Sequence, residues 1–193
     1  MNLVIVSISS ILAVSSLAAA EVELPIQGDF SHSGISPGLP DGWTMNHAFP
    51  GRIQIIEGND VSGGGNAVEV ALSEHQEAEG KWVGMTCTSY FPFRAGDREY
   101  EYRFQVRGNG KILLGFSLWG DGGWIALKAA QQTVSSDDWE EHSLPIRVPE
   151  NAFMSASKEE DGGEPVPVSR IQPVIFVTSG SVQIANLKLI ADE

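Results

Sequence analysis

The chain has 193 residues, of which 42% are hydrophobic, and its 12 basic and 25 acidic residues give a formal net charge of −13. Nucleic acids and anionic membranes attract basic surfaces, so this charge argues against both as partners and disfavours strongly acidic polysaccharides. The length supports one domain with a single core. The only cysteine, Cys87, cannot form an intramolecular disulfide and is predicted to be a small buried residue of a core that packing alone must stabilise.

The first 20 residues, MNLVIVSISSILAVSSLAAA, contain no charged side chain and end in three alanines directly before Glu21. An apolar run followed by small residues is the pattern of a cleaved secretory signal, although the usual Lys or Arg near the N-terminus is missing. The run is too short and too rich in serine to span a membrane comfortably. We therefore predict a signal peptide over 1–20, a mature domain over 21–193, and a secreted or periplasmic protein without membrane insertion.

Period-two alternation of apolar and polar residues recurs along the mature chain, bounded by Gly, Pro, Asn and Asp, whereas no helical period is sustained. Strands are predicted over 53–57, 66–72, 82–91, 99–107, 111–119, 124–131, 139–148, 170–178 and 181–190, with long loops over 58–66 and 150–167. Short strands with glycine-rich connections predict an all-β, single-domain fold, namely a two-sheet antiparallel β-sandwich or jelly roll.

Apolar residues occupy the even positions of the predicted strand 99–107, from Tyr100 to Val106, which assigns this side of the strand to the core. A three-residue turn at 108–110, Gly-Asn-Gly, would join it to 111–119 as a β-hairpin. Each core residue would then lie opposite another apolar residue. This agreement predicts the register of the hairpin.

A second turn, Gly-Asp-Gly-Gly at 120–123, would pair Trp119 with Trp124. Alternation then assigns Ile125, Leu127 and Ala129 to the core and turns both tryptophans outward. The outer face predicted from the two hairpins carries Glu99, Glu101, Arg103, Leu113, Gly115, Ser117, Trp119, Trp124, Ala126 and Lys128.

Two outward tryptophans beside charged groups are typical of a carbohydrate-binding surface. An indole stacks on the C–H face of a sugar ring, and carboxylate and guanidinium groups hydrogen-bond the hydroxyls. Trp82 is a further candidate for ligand contact, whereas Trp43 is predicted to cap the core. The alternative is that the loop 150–167 or the N-terminal segment covers this face and buries both rings in a satellite cluster.

Six segments together resemble carbohydrate-binding modules of the family 4, 9 and 22 type, which are galactose-binding-domain-like jelly rolls. They are QGDFS at 27–31, GLPDGWTM at 38–45, GNAVEV at 65–70, FRAGDREYEYRFQVRGNG at 93–110, QTVSSDDWEEHSLPIRVP at 132–149 and SVQIANLKL at 181–189. The resemblance extends over nearly the whole mature chain. It implies a β-sandwich that binds glycans without cleaving them and without a cofactor, usually through aromatic residues on an open sheet face.

Many members of this group hold a structural Ca²⁺ near the first and last of these segments. Here Gln27 stands where Asn is usual, Ser31 where Glu is frequent and Ala185 where Asp is usual, so part of the acidic ligand set is absent. Ca²⁺ takes six or more oxygen ligands and accepts backbone carbonyls. A structural Ca²⁺ held by Asp29 and backbone carbonyls therefore stays open.

Two other classes of function also stay open. Glu99 and Glu101 have the spacing that some retaining sandwich-fold glycosidases use, although Arg103, next on the same face, is typical of an ion-pair partner. An outward tryptophan pair could also anchor an interface in an adhesive or structural protein. The favoured prediction is an exported, non-catalytic module that binds a glycan, with neutral polysaccharides preferred to acidic ones.

Overall fold

The computed structural model describes residues 21–31, 38–45, 51–57, 61, 64–93, 96, 98–154 and 164–192. The predicted signal peptide, residues 1–20, and the middle of the predicted loop 150–167 lie outside these ranges. The described residues form eleven strands and one short helix. These are β1 (Glu21–Leu24), β2 (Trp43–Met45), β3 (Arg52–Glu57), β4 (Asn66–Ala71), α1 (Glu74–Ala78), β5 (Val83–Cys87), β6 (Phe91–Pro92), β7 (Arg98–Gly120), β8 (Gly123–Val148), β9 (Asn151–Ala152), β10 (Val166–Pro167) and β11 (Arg170–Asp192).

Nine strands form one antiparallel sheet that curls over on itself, while β9 and β10 form a separate two-stranded sheet. The long strands β7, β8 and β11 run through the whole curl, with β7 in the middle. Their halves define two layers. Layer A contains β3, β4, the second half of β11, the first half of β7 and the second half of β8. Layer B contains β2, β5 and the remaining halves of the three long strands, which confirms the predicted all-β sandwich.

Glycines bend the long strands where they pass between the layers. Gly108 of β7 has a φ of 118°, and a Cβ there would lie 2.4 Å from the backbone oxygen of Ser181. Gly180 of β11 has a φ of 68°, and a Cβ there would lie 2.0 Å from the backbone oxygen of Asn109. Only glycine combines a readily accessible positive φ with room for so close a backbone approach.

The predicted turn at 108–110 is therefore wrong, because β7 continues through it and bends there. Its two halves do not pair with each other; both pair with β8 on one side and β11 on the other. The predicted strands 124–131 and 139–148 likewise belong to the single strand β8, and 170–178 and 181–190 belong to β11. Glycine suits a tight turn and a bend equally well, so local sequence does not distinguish them.

The core lies between the layers and includes the even residues of β7, as predicted. The hydroxyl of the fully buried Tyr102 donates a 2.7 Å hydrogen bond to the backbone oxygen of Gly115, 13 residues further along the same strand. The ring of Phe116 lies 5.0 Å from that of Tyr100 and 5.5 Å from that of Tyr102. Thirteen residues of extended strand span about 40 Å, so these contacts require the curl. Burial also raises the pKa of Tyr102 well above its usual range.

Trp43 and Cys87 lie in the core, as predicted, and burial raises the pKa of the Cys87 thiol. The helix α1 was not predicted from the alternation. Its sequence signal is a capping box, in which Gln76 donates its backbone N–H to the Ser73 hydroxyl and accepts the Ser73 N–H. Within the described ranges, no helix is long and apolar enough to cross a membrane.

Candidate functional site

The outer face of layer B, called face B below, carries an open and mainly apolar groove of about 450 Å³. Its lining residues come from β7, from the start of β8, from β11 and its bend, and from the residue that precedes β5. They are Trp82, Leu113, Ser117, Trp124, Leu127, Phe176 and Thr178. The hydroxyls of Ser117 and Thr178 can each donate and accept a hydrogen bond, whereas the other lining side chains offer apolar surface.

Trp124 reaches the groove because the β7–β8 hairpin has the predicted register at its tip. Trp119 pairs with Trp124 across the four residues 120–123, which confirms this part of the prediction. The Trp124 side chain is 42% exposed. One of the two predicted platform tryptophans is therefore presented to solvent.

A β-bulge directly after this pair changes the face of the residues that follow. Leu118 pairs with Ala126, which leaves Ile125 as an extra residue on β8. Leu127, predicted to be core, is 45% exposed and lines the groove, and Ala126, predicted to face outward, packs against the core. The predicted faces of 126–129 are therefore wrong by one residue.

Trp82 lies at the other end of the groove from Trp124. Its ring meets that of Phe176 edge to face, with the centroids 4.6 Å apart. Phe176 lies opposite Leu113 on one side and Gly84 on the other, and a Cβ on Gly84 would lie 2.3 Å from the Phe176 ring. Leu113 lines one end of the groove, and Trp124 at the other end lies opposite Trp119, six residues further along β7. The groove therefore follows the strands for roughly 20 Å.

Trp119 lies beside the groove rather than in it. Its half-buried ring packs edge to face on Tyr90, at a centroid distance of 5.4 Å, and its Nε1 is buried with no hydrogen-bond partner among the described residues. Because Trp119 does not line the groove, its position does not support the predicted contact with a ligand, and this contact stays a prediction.

The predicted charged residues of the site lie on a different surface, the outer face of layer A, called face A below. Glu99, Glu101 and Arg103 belong to the first half of β7, and the tryptophans face outward from layer B beyond the bend. The predicted face that combined these carboxylates with Trp119 and Trp124 is therefore wrong. It depended on the hairpin at 108–110, which does not form.

The Arg103 side chain is held by carboxylates on face A. It donates to Glu21 in a bidentate pair, at 2.9 Å and 2.7 Å, and to Glu101 at 2.6 Å. Glu101 also accepts a hydrogen bond from the Ser143 hydroxyl. These contacts satisfy the main hydrogen-bonding groups of the network within the protein.

The network shifts the pKa of each charged member toward its charged form. The Ser143 hydroxyl, followed by Arg103, lowers the pKa of Glu101, and the hydrogen bond from Arg103 lowers the pKa of Glu21. The two carboxylates raise the pKa of Arg103. A carboxyl whose pKa is lowered is a poor general acid, so Glu21 and Glu101 are not tuned to donate the proton that glycoside hydrolysis requires.

Two further predicted ligand residues also lie outside the groove. Glu99 is exposed on face A, opposite Arg147 of β8. Lys128 lies opposite Phe116, whose side chain is in the core, and the bulge thus turns Lys128 away from face B. Of the seven predicted ligand residues, Trp82 and Trp124 line the groove.

Asp29, the predicted Ca²⁺ ligand, lies in a separate cleft of about 500 Å³ that Asp41 also lines. It is exposed, and its Oδ1 accepts the N–H of Ser31 at 3.3 Å. Within the described part of the chain, no three residues among His, Cys, Asp and Glu come together to hold a metal ion. Carboxylates alone therefore do not supply the six to eight oxygen ligands of Ca²⁺ here, and a Ca²⁺ held by Asp29 and backbone carbonyls stays a prediction.

Alternation correctly places Leu113 and Ser117 on this face, but Leu127, Phe176 and Thr178 of the groove were not predicted. Phe176 lies in the run PVIFV at 173–177, where every residue is buried and no alternation distinguishes the two faces. A continuous apolar run indicates a strand that is covered on both faces. This run was the sequence signal that apolar side chains also pack together on face B.

Comparison with models of known protein families finds no match, and comparison with curated proteins finds none either. Solved structures do match. The CBM22-1 xylan-binding domain from Paenibacillus barcinonensis Xyn10C aligns with a TM-score of 0.53 and 9% identity, covering 93% of this chain and 99% of that one.

Two larger proteins contain a similar domain. The CBM22-1–GH10 modules of Clostridium thermocellum endo-1,4-β-D-xylanase 10B, complexed with xylohexaose, align with a TM-score of 0.51 and 16% identity over 92% of this chain. The arabinose-bound α-L-arabinofuranosidase MgGH51 aligns with a TM-score of 0.53 and 14% identity over 90%. The chain spans 29% and 27% of these two proteins. At such identities the likeness shows a shared fold, the jelly roll of carbohydrate-binding modules.

Proposed function

We propose that this protein binds carbohydrate in the groove of face B, with Trp82 and Trp124 as its two stacking platforms. The observation that carries the proposal is a tryptophan at each end of an open groove, on the exposed face of a jelly roll of the carbohydrate-binding type. Sugar rings present an apolar C–H face to such rings and hydroxyls to groups such as Ser117 and Thr178. Xylan is the first ligand to test, because the similar Paenibacillus domain binds it.

We also propose that binding is not coupled to catalysis by this chain. Hydrolysis of a glycosidic bond uses two carboxyl groups on either side of the bond. No carboxylate is among the described residues that line the groove, and Glu101 is engaged by Arg103 and Ser143 on face A. Delivery outside the cell through residues 1–20 remains part of the proposal.

The test is affinity electrophoresis and calorimetry of the mature chain on xylan and a panel of neutral polysaccharides. Trp82→Ala and Trp124→Ala should each weaken binding about tenfold, which corresponds to about 1.4 kcal/mol. The matched control is Trp139→Ala, because Trp139 is a half-buried tryptophan of layer A that stacks with Arg107. The control should bind as the wild type does, and circular dichroism should show all three variants folded.

One observation supports a second function, the docking of a protein partner. Trp124 and Leu127 are adjacent, large, exposed apolar residues, and such side chains often anchor protein interfaces. Failure of the wild type to bind any polysaccharide of the panel would contradict the proposed function and favour this alternative. If Trp139→Ala weakened glycan binding as much as Trp82→Ala and Trp124→Ala do, the site would lie away from the groove.

A further inference from the structure

Arg170 stands beside the groove of face B, and none of the described carboxylates is its partner. Arg170 is exposed, and its guanidinium lies over the Tyr90 ring, 5.4 Å from the centroid. Among the described residues, no carboxylate oxygen lies within 4.0 Å of it. By contrast, Arg52 pairs with Glu69, and Arg103 pairs with two glutamates. In a chain with 25 acidic residues, a cation left without such a partner is a candidate for a ligand.

The sheet fixes the position of Arg170 relative to the groove. Arg170 lies opposite Trp119 on β7, which lies opposite Trp124 on β8. Directly opposite residues point to the same face, and neighbouring strands are about 4.8 Å apart. The backbones of Arg170 and Trp124 are therefore about 10 Å apart, and an arginine side chain can reach a group attached to a ligand at the Trp124 end of the groove.

Backbone hydrogen bonds to the chain on both sides fix the residue that precedes Arg170. The Ser169 N–H donates to the backbone oxygen of Trp119 at 2.8 Å, and the Ser169 oxygen accepts the Phe93 N–H at 2.9 Å. Tyr90 in turn packs on Trp119. A guanidinium stacked on a ring keeps the N–H groups at its edge free, and this planar fork matches a carboxylate in a bidentate pair.

We infer that Arg170 is a specificity-determining residue that binds the carboxylate of a uronic acid side group on an otherwise neutral polysaccharide. The inference rests on the proposed function and names its substrate class. One arginine at one end of an apolar groove fits an occasional charge, whereas the net charge of −13 disfavours a polyanion. Carboxylates of the protein beyond about 8 Å are largely screened at physiological salt and do not prevent a local pair.

The experiment uses glucuronic acid-bearing xylan and gum arabic, each beside a form whose carboxyl groups have been reduced to alcohols. The wild type should bind at least one carboxylated polymer about three- to tenfold more tightly than its reduced form, and less so at high salt. Arg170→Gln should lose this preference while binding the reduced polymer as the wild type does. Arg170→Lys should keep part of the preference.

The matched control is Arg52→Gln, which removes the same charge from layer A and should retain the preference. Equal wild-type affinity for both forms of each polymer would overturn the inference and leave the proposed function standing. The inference would also be overturned, with the proposed function left standing, if the wild type bound neutral polysaccharides of the panel but bound neither of these two polymers, carboxylated or reduced. Absence of binding to every polysaccharide would overturn both, and a preference that persists in Arg170→Gln would assign the carboxylate to another residue.

Discussion

The two outer faces of the sandwich share the strand β7 and differ in how their side chains are satisfied. On face A, Arg103 and Glu101 are bonded to each other and to Glu21 and Ser143. On face B, the exposed side chains of Trp124 and Leu127 border an open groove. Face A presents groups that are already ion-paired, whereas face B offers exposed apolar surface to a ligand.

A charged residue that lies near an aromatic one in sequence therefore need not belong to the same binding surface. A paired carboxylate must give up its existing hydrogen bonds before it can bind a sugar hydroxyl. The net free-energy gain from exchanging one hydrogen bond for another is small. An exposed apolar surface gains from any burial. Variants on each face and at the bend between them test whether this division holds.

The largest effect is expected at the bend that separates the two faces. Gly108→Ala should lower the free energy of unfolding by about 3 kcal/mol, because alanine tolerates neither the positive φ nor the close approach to Ser181. Urea denaturation measures this value. Gly122→Ala is the control, since a Cβ at Gly122 meets no atom within 4 Å and its φ is not positive. Equal stability of the two variants would show that β7 can bend without glycine.

A carboxylate placed on face B should weaken glycan binding. Leu127→Glu should reduce affinity about tenfold with little change in stability, because the side chain is exposed and lines the groove. Val22→Glu adds the same charge at an exposed position of β1 in layer A and should leave affinity unchanged. Titration calorimetry compares the two. A greater loss in Val22→Glu would move the site to face A.

The hydrogen bond that crosses the core links the two halves of β7 and should contribute modestly to stability. Tyr102→Phe should lower the free energy of unfolding by about 1 kcal/mol, because the Gly115 carbonyl loses a buried donor. Thermal melting beside Tyr90→Phe, an exposed tyrosine, provides the comparison. An unchanged melting temperature in Tyr102→Phe would mean that the bond adds nothing net.

The smallest effect is expected from the ion pairs of face A, and it should depend on pH. Glu21 and Glu101 have lowered pKa values in the folded state, so their stabilising contribution is complete above their ordinary pKa of about 4.5 and is lost as the pH falls through the lowered values. Arg103→Gln should therefore melt about 2 °C below the wild type at neutral pH. The difference should shrink as the pH falls below about 4.5, which melting curves recorded from neutral to acidic pH would show. A difference that persists or widens in acid would contradict this origin.

The sequence by itself determined the presence of most strands and the direction in which many side chains point. Alternation assigned Tyr100, Tyr102 and Phe104 to the core, and the turn residues at 120–123 fixed the pairing of Trp119 with Trp124. Side-chain direction along a strand has a strict period of two, and a tight hairpin is specified within a few residues, so both are local properties.

Only the tertiary structure decided which outward residues share a surface. Gly108 could end a strand or bend it, and the choice depended on pairing with β11, which lies far away in the sequence. Trp82 and Trp124 meet around one groove because β5, β11, β7 and β8 are neighbours in layer B. Strand order and a one-residue bulge arise from the packing of the whole core, and no window of local sequence contains them.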